Sequence, residues 1–183
     1  PYYASCDVYV TASLSDTNSI SMLEGMATGL PVLRQAVADR YQSYWDGYKA
    51  DNIVVTVGAL EGLTLCLLAL LNRDDEILVP DPCFANYYGQ AMIAGAKAVP
   101  VPAHEENGFN MTAADVEKCI TPKTKAIILN SPCNPTGAVM PESELRALAD
   151  VLRESGVLVI SDEIYAELTY AGETVEVTQT AVG

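Results

Sequence analysis

Short, continuous apolar runs recur along this chain, and stretches with helical spacing separate them. The runs are Ile53–Val57 (IVVTV), Ile77–Pro80, Ala98–Val101, Lys125–Asn130 (KAIILN) and Val157–Ser161 (VLVIS). They do not alternate with polar residues as a strand wetted on one face does, so each reads as a strand covered on both faces. Between them lie Ala59–Leu71, rich in Leu and Ala, Phe84–Ala94, and Ala113–Cys119 with Thr112 as its N-cap. Pro141 opens a further helix as its first residue, with Glu142 and Glu144 in the first turn and Gly156 as the stop. Its apolar positions Leu145, Leu148, Ala149 and Leu152 fall on one face. This order predicts the α/β class, a three-layer fold around a mostly parallel central sheet. The ends are less regular. Ser13–Ser21 is turn-rich, Met22–Ala27 is helix-like, and residues 172–183 form a Thr- and Val-rich tail, each compatible with strand or coil.

Charge narrows the partners. Ten Lys and Arg against 24 Asp and Glu give a net charge of −14, which repels phosphate backbones and anionic membranes. Neither a nucleic acid nor a membrane is therefore expected as a partner. The longest apolar stretch, Leu63–Leu71, is interrupted by Thr64 and is too short to span a bilayer. No basic stretch precedes an apolar one at the start, so no secretory signal is expected. Five scattered cysteines (Cys6, Cys66, Cys83, Cys119 and Cys133) suit free thiols in a reducing cytoplasm. With His104 as the single histidine, no zinc spacing exists, and no metal ligand is expected. His104 lies in the polar stretch Ala103–Asn110, which reads as a surface loop rather than as part of a catalytic triad.

Four clusters sit where strands end, the edge at which open α/β sheets bind ligands. Asn130-Ser-Pro-Cys-Asn-Pro-Thr-Gly137 forces an irregular turn that presents Asn134, whose amide can donate to an anionic oxygen; local chemistry alone favours an ordinary structural turn. Ser161-Asp-Glu-Ile-Tyr165 ends another strand and places Asp162 where a carboxylate can pair with a protonated ring nitrogen. The Asp-Glu pair alone favours a solvated acidic turn. Val57-Gly-Ala-Leu-Glu61 is a strand-to-helix junction whose first-turn N–H groups can hold a phosphate, though it is no glycine-rich fingerprint. Asp81-Pro-Cys-Phe-Ala-Asn-Tyr-Tyr88 offers an aromatic ring after a proline turn, for stacking on a heterocycle or for plain packing.

Taken together, these clusters resemble the class I/II aminotransferases of fold type I, most closely the aspartate and aromatic types. The matching stretches are GLPVLRQAVADRY, NIVVTVGALEGL, DEILVPDPCFANY, TPKTKAIILNSPCNPTG and VLVISDEIYAEL. The resemblance implies a partial large domain over residues 34–183 that binds pyridoxal 5′-phosphate, with amino acids and 2-oxo acids as substrates. By motif, Asn134 and Tyr165 would face the cofactor's phenolic oxygen, and Asp162 would pair with the pyridine nitrogen. Phe84 would stack on the ring, and the backbone N–H groups of Gly58, Ala59 and Leu60 would hold the phosphate. The family often has a cis peptide at the Asn134–Pro135 position. Its large domain carries a seven-stranded sheet, so a shorter version should leave an apolar face uncovered and form a homo-oligomer.

Two departures from the pattern matter. The family's cofactor-anchoring lysine lies in a Ser-x-x-Lys or Ser-Lys context, and none of Lys49, Lys97, Lys118, Lys123 and Lys125 does. No catalytic residue is therefore named, and the chain is expected to be inactive alone. At the front, Glu24 stands where relatives carry a phosphate-reaching tyrosine. Residues 1–33 are instead similar to the nucleotide-sugar half of GT-B glycosyltransferases, in which an acid and a glutamate separated by seven residues hold the donor. Asp16 and Glu24 have that spacing.

Overall fold

A computed structural model describes residues 8–10, 31–42, 49–166 and 168. Five strands, β1 (Val8–Val10), β2 (Glu76–Asp81), β3 (Lys97–Pro102), β4 (Thr124–Asn130) and β5 (Leu158–Asp162), form one sheet in the order β1-β5-β4-β2-β3. Every pairing is parallel. The helices are α1 (Pro31–Tyr41), α2 (Gly58–Leu70), α3 (Asn86–Ile93), α4 (Ala113–Cys119) and α5 (Glu142–Ser155).

Successive side chains of a strand point to opposite faces, and the core divides accordingly. On one face Leu78, Val101, Ile127 and Leu129 pack with Val116 of α4 and with Leu145, Leu148 and Leu152 of α5. On the other, Ile77, Val79, Ala126, Ile128 and Ile160 pack with Leu63 and Leu67 of α2 and with Tyr87 and Ala91 of α3. The three-layer α/β architecture expected from the apolar runs is thus present. Register brings the exits of three strands level, because Asn130 of β4 and Val10 of β1 both pair with Asp162 of β5.

Local signals account for most boundaries. Thr112 caps α4, its hydroxyl accepting the Asp115 N–H at 3.2 Å. Gly156 ends α5 in the left-handed region at φ 69°, where a side chain would be strained. Pro141 is the N-cap rather than the first helical residue, with the extended ψ of 150° that a cap adopts. α3 begins at Asn86, two residues later than the apolar pattern suggested, because Phe84 is still in the turn that follows β2. His104 is exposed beside a single 3-10 turn, Glu105–Asn107, as expected of a surface loop.

One expected strand is corrected. Ile53–Val57 has no strand assignment and no ladder partner among the described residues, and Val54 and Val57 are 78% and 76% exposed. A β-branched apolar run states only that the segment suits a sheet interior. The ladder itself needs a neighbouring strand. α1 and β1 were not anticipated as elements. The turn-rich and helix-like stretches within residues 11–30 and the tail 172–183 fall outside the described residues. Among the described residues no helix is long and apolar enough to cross a membrane. Cys66, Cys83, Cys119 and Cys133 are free thiols.

Candidate functional site

The exits of β2, β4 and β5 and the N-terminus of α2 enclose a cavity of about 250 Å³. Gly58, Ala59, Leu60, Phe84, Asn134, Asp162 and Tyr165, drawn from four separate sequence clusters, all line it. Val57, Leu63, Tyr87, Asn130 and Ile164 complete the described wall.

Asp162 is the best-held group. It is the last residue of β5 and only 8% exposed. Its Oδ2 accepts the Tyr87 hydroxyl at 2.7 Å, and its Oδ1 accepts the Ile164 N–H at 3.3 Å. Both oxygens are thereby oriented, and the carboxylate is an acceptor at the floor of the cavity. Burial, reinforced by the Asp162 charge and hydrogen bond, pushes the Tyr87 phenol far above its ordinary pKa, so it stays a donor. Tyr87 also meets Phe84 edge to face, with centroids 5.7 Å apart and planes at 86°. That contact fixes the Phe84 ring on the cavity wall.

Asn130 ties two walls together. Its Nδ2 donates to the Asp162 carbonyl at 2.9 Å, and its Oδ1 accepts the Asn134 N–H at 2.9 Å. The loop carrying Asn134 is braced further, since the Gly137 N–H donates to the Cys133 carbonyl at 2.7 Å and the Met140 N–H to Ser131 Oγ at 3.0 Å. The Asn134–Pro135 peptide is cis, as the motif led one to expect, and Asp81–Pro82 and Ser131–Pro132 are cis as well.

At the other wall Gly58 takes φ +80°, and a Cβ there would meet nothing within 4 Å. The glycine is required by backbone conformation rather than by crowding. It lets the chain swing from Val57 into α2 so that the first turn faces the cavity. Gln90 of α3 holds that turn in place, its Nε2 donating to the Leu60 carbonyl at 2.9 Å and to Thr64 Oγ1 at 3.0 Å. Glu61 folds back to accept the Val57 N–H.

Two residues that matter here were not singled out from sequence. Tyr87 sits inside a helical pattern, and its partner Asp162 lies 75 positions away. Asn130 was noticed only as a polar strand end, a signal that a buried side chain at 7% exposure turns into a clamp. Neither flanking thiol is poised as a nucleophile. Burial raises the pKa of Cys133, and burial with the nearby Asp81 and Cys133 pushes Cys83 up to about 11.

Comparison with known proteins gives the family. The sequence profile of the family described as aminotransferase class I and II matches residues 11–182. An aspartate aminotransferase of Pyrococcus abyssi is 41% identical over 149 residues, 80% of this chain and 38% of that protein. Aromatic-amino-acid aminotransferase 2 of Thermococcus litoralis is 39% identical over 147 residues, 79% of this chain and 38% of that protein. A solved mutant of Thermus thermophilus aspartate aminotransferase superposes with a TM-score of 0.79 at 33% identity, over 95% of this chain and 52% of that one. The chain therefore spans less than two-fifths of these curated relatives and about half of the solved one. The profile begins at residue 11 and so takes in Asp16 and Glu24. The glycosyltransferase resemblance of residues 1–33 is corrected on that ground, a spacing of two acids being too short a signal to carry a family.

Proposed function

The chain belongs to the class I and II aminotransferases, and on that premise we propose that its cavity is where such an enzyme holds pyridoxal phosphate. The observation that carries the reading is the convergence of Phe84, Asn134, Asp162 and Tyr165 on one small cavity from three strand exits. The donor set suits the ring. Asp162 is a buried, doubly oriented carboxylate for a protonated ring nitrogen, and Asn134 and Tyr165 bring donors for a phenolate. Phe84 supplies a flat apolar surface, and the first turn of α2 supplies the N–H groups of Ala59 and Leu60. When bound, this cofactor is an electron sink for charge that develops at the α-carbon of an amino acid. Asp162 serves that role by keeping the ring nitrogen protonated, while Asn130 and Tyr87 hold Asp162 in place.

Within a longer enzyme the reaction would move an amino group between an amino acid and a 2-oxo acid. The 183-residue chain by itself binds without turning over. None of its five lysines lines the cavity, so no amine is placed to anchor the cofactor or to move the α-proton. Self-association belongs to the same proposal, because Leu65 and Leu68 of α2 and Met92 and Ile93 of α3 are 48–73% exposed on neighbouring helices. A cytoplasmic setting agrees with the free thiols.

The test is to heat the chain with and without pyridoxal phosphate and to assay the same samples with several amino-acid and 2-oxo-acid pairs. Ligand at about 100 times its Kd stabilises the folded state by about 2.7 kcal/mol. That raises the Tm by roughly 5–10 °C for a chain of this size. Product should stay at the level of the protein-free control. An unchanged Tm contradicts the binding, and sustained turnover contradicts the inactivity.

A further inference from the structure

One short helix holds both ends of the cavity. Tyr87 and Gln90 stand three residues apart on α3, which puts them on one face of the helix and about 4.5 Å apart along its axis. Both are buried, at 1% and 6% exposure, and Ala91 beside them is fully buried in the same cluster as Ile77, Val79 and Ile128. Tyr87 donates to the Asp162 carboxylate at the ring end. Gln90 donates into the first turn of α2, the end proposed for the phosphate.

The grip on α2 is made of three bonds. The Leu60 carbonyl accepts Gln90 Nε2 at 2.9 Å and the Thr64 hydroxyl at 2.8 Å, and Gln90 Nε2 also donates to Thr64 Oγ1 at 3.0 Å. Because a peptide unit is planar, holding its carbonyl fixes the whole plane between Leu60 and Glu61, and with it the roll of the first turn. Ala59 and Leu60 of that turn line the cavity, whereas Gln90 does not. Gln90 therefore reaches a ligand only through the backbone it holds. A turn ordered in advance spares the ligand the entropy of ordering it.

We propose that Gln90 is a positioning residue that sets the spacing between the ring end and the phosphate end of the cavity, by tying the first turn of α2 to the helix that also holds Asp162. The inference rests on the cofactor-binding reading above and adds the residue that couples its two ends. A ligand that uses the ring end alone is insensitive to this coupling. A ligand that spans the cavity needs both ends at their correct separation. Gln90→Met keeps a side chain of similar size and removes the donor, so a spanning ligand must then order the turn itself.

The experiment is calorimetric titration of the full chain and of its Gln90→Met variant with pyridoxine and with pyridoxine 5′-phosphate. Neither ligand has an aldehyde, so surface lysines cannot react with them. The Kd of pyridoxine divided by that of its phosphate measures what the α2 end contributes. That ratio should fall about fivefold in Gln90→Met, the scale of a neutral hydrogen bond that the ligand must replace. A general loosening of the fold would weaken both ligands alike, so an unchanged ratio overturns the inference and leaves the ring-binding reading intact. A ratio near one in the unaltered chain leaves Gln90 nothing to position and also overturns the inference alone. Failure of both ligands to bind the unaltered chain at millimolar concentration sinks that reading and this inference with it. Thr64→Val is the second variant, since it removes the hydroxyl that Gln90 also binds but keeps the bond from Gln90 to the Leu60 carbonyl. There the ratio should fall by less than in Gln90→Met. No fall, or a larger one, would take the hold on the turn away from Gln90 and overturn the inference.

Discussion

Asp162→Asn weakens ring binding by roughly thirtyfold or more, since removing one partner of a buried, hydrogen-bonded charge pair costs about 2–5 kcal/mol. The side chain keeps its size, so the cavity and β5 keep their shape, and the loss reports charge. Asp162 is suited to this role because its two oxygens are already committed in direction, one to the Tyr87 hydroxyl and one to the Ile164 N–H. Its strand is held to β4 by Asn130 and by the ladder that pairs Asn130 with Asp162. Tyr87→Phe gives the comparison. It removes one charge-assisted hydrogen bond that holds the carboxylate but not the carboxylate itself, so a smaller loss than that of Asp162→Asn is expected. Calorimetric titration of both variants with pyridoxine decides the ranking. Wild-type affinity in Asp162→Asn, or a larger loss in Tyr87→Phe, would remove Asp162 from the site.

Two adjacent leucines on α2 should differ sharply in what they contribute to stability. Leu67 is fully buried against Ile77, Val79 and Ile128, while Leu68 is 51% exposed. Leu67→Ala leaves a cavity in a packed layer and should destabilise the chain by about 2–5 kcal/mol, a large part of the 5–15 kcal/mol that holds a domain together. Leu68→Ala should stay within about 0.5 kcal/mol in dilute solution, where its exposed face is unpartnered. The gap follows from the helical turn of about 100° per residue, which swings Leu67 onto the sheet and Leu68 away from it. Urea midpoints of the two variants measure it. Equal midpoints would mean that α2 does not pack as described. Since the first turn of the same helix walls the cavity, Leu67→Ala should also weaken ligand binding, whereas Leu68→Ala should not.

What could be read in advance was local, and what escaped was relational. α5 was legible because Leu145, Leu148 and Leu152 repeat at helical spacing between an acidic first turn and a glycine that adopts φ 69°. α4 was legible from its cap, since a threonine hydroxyl needs only the N–H three residues on. β4 and β5 were legible because both of their faces are covered, which leaves the continuous runs KAIILN and VLVIS. Ile53–Val57 carries the same signal and forms no ladder, because apolar character fixes what a segment suits and not whether a neighbour is there. The site divides in the same way. Gly58, Phe84, Asn134 and Asp162 stood out from turn chemistry and family motif. Tyr87 and Asn130 act through partners set by topology, and no short window of sequence contains both halves of either pair.

The central claim is that separate strand exits build one receptor for a B6 ring. A crystal structure of the chain grown with pyridoxal phosphate tests it most directly. The account predicts the ring lying on Phe84, with its nitrogen within about 3 Å of an Asp162 oxygen, the reach of a hydrogen bond. Cofactor attached instead to a surface lysine such as Lys97 or Lys125, with no density between Phe84 and Asp162, would contradict it.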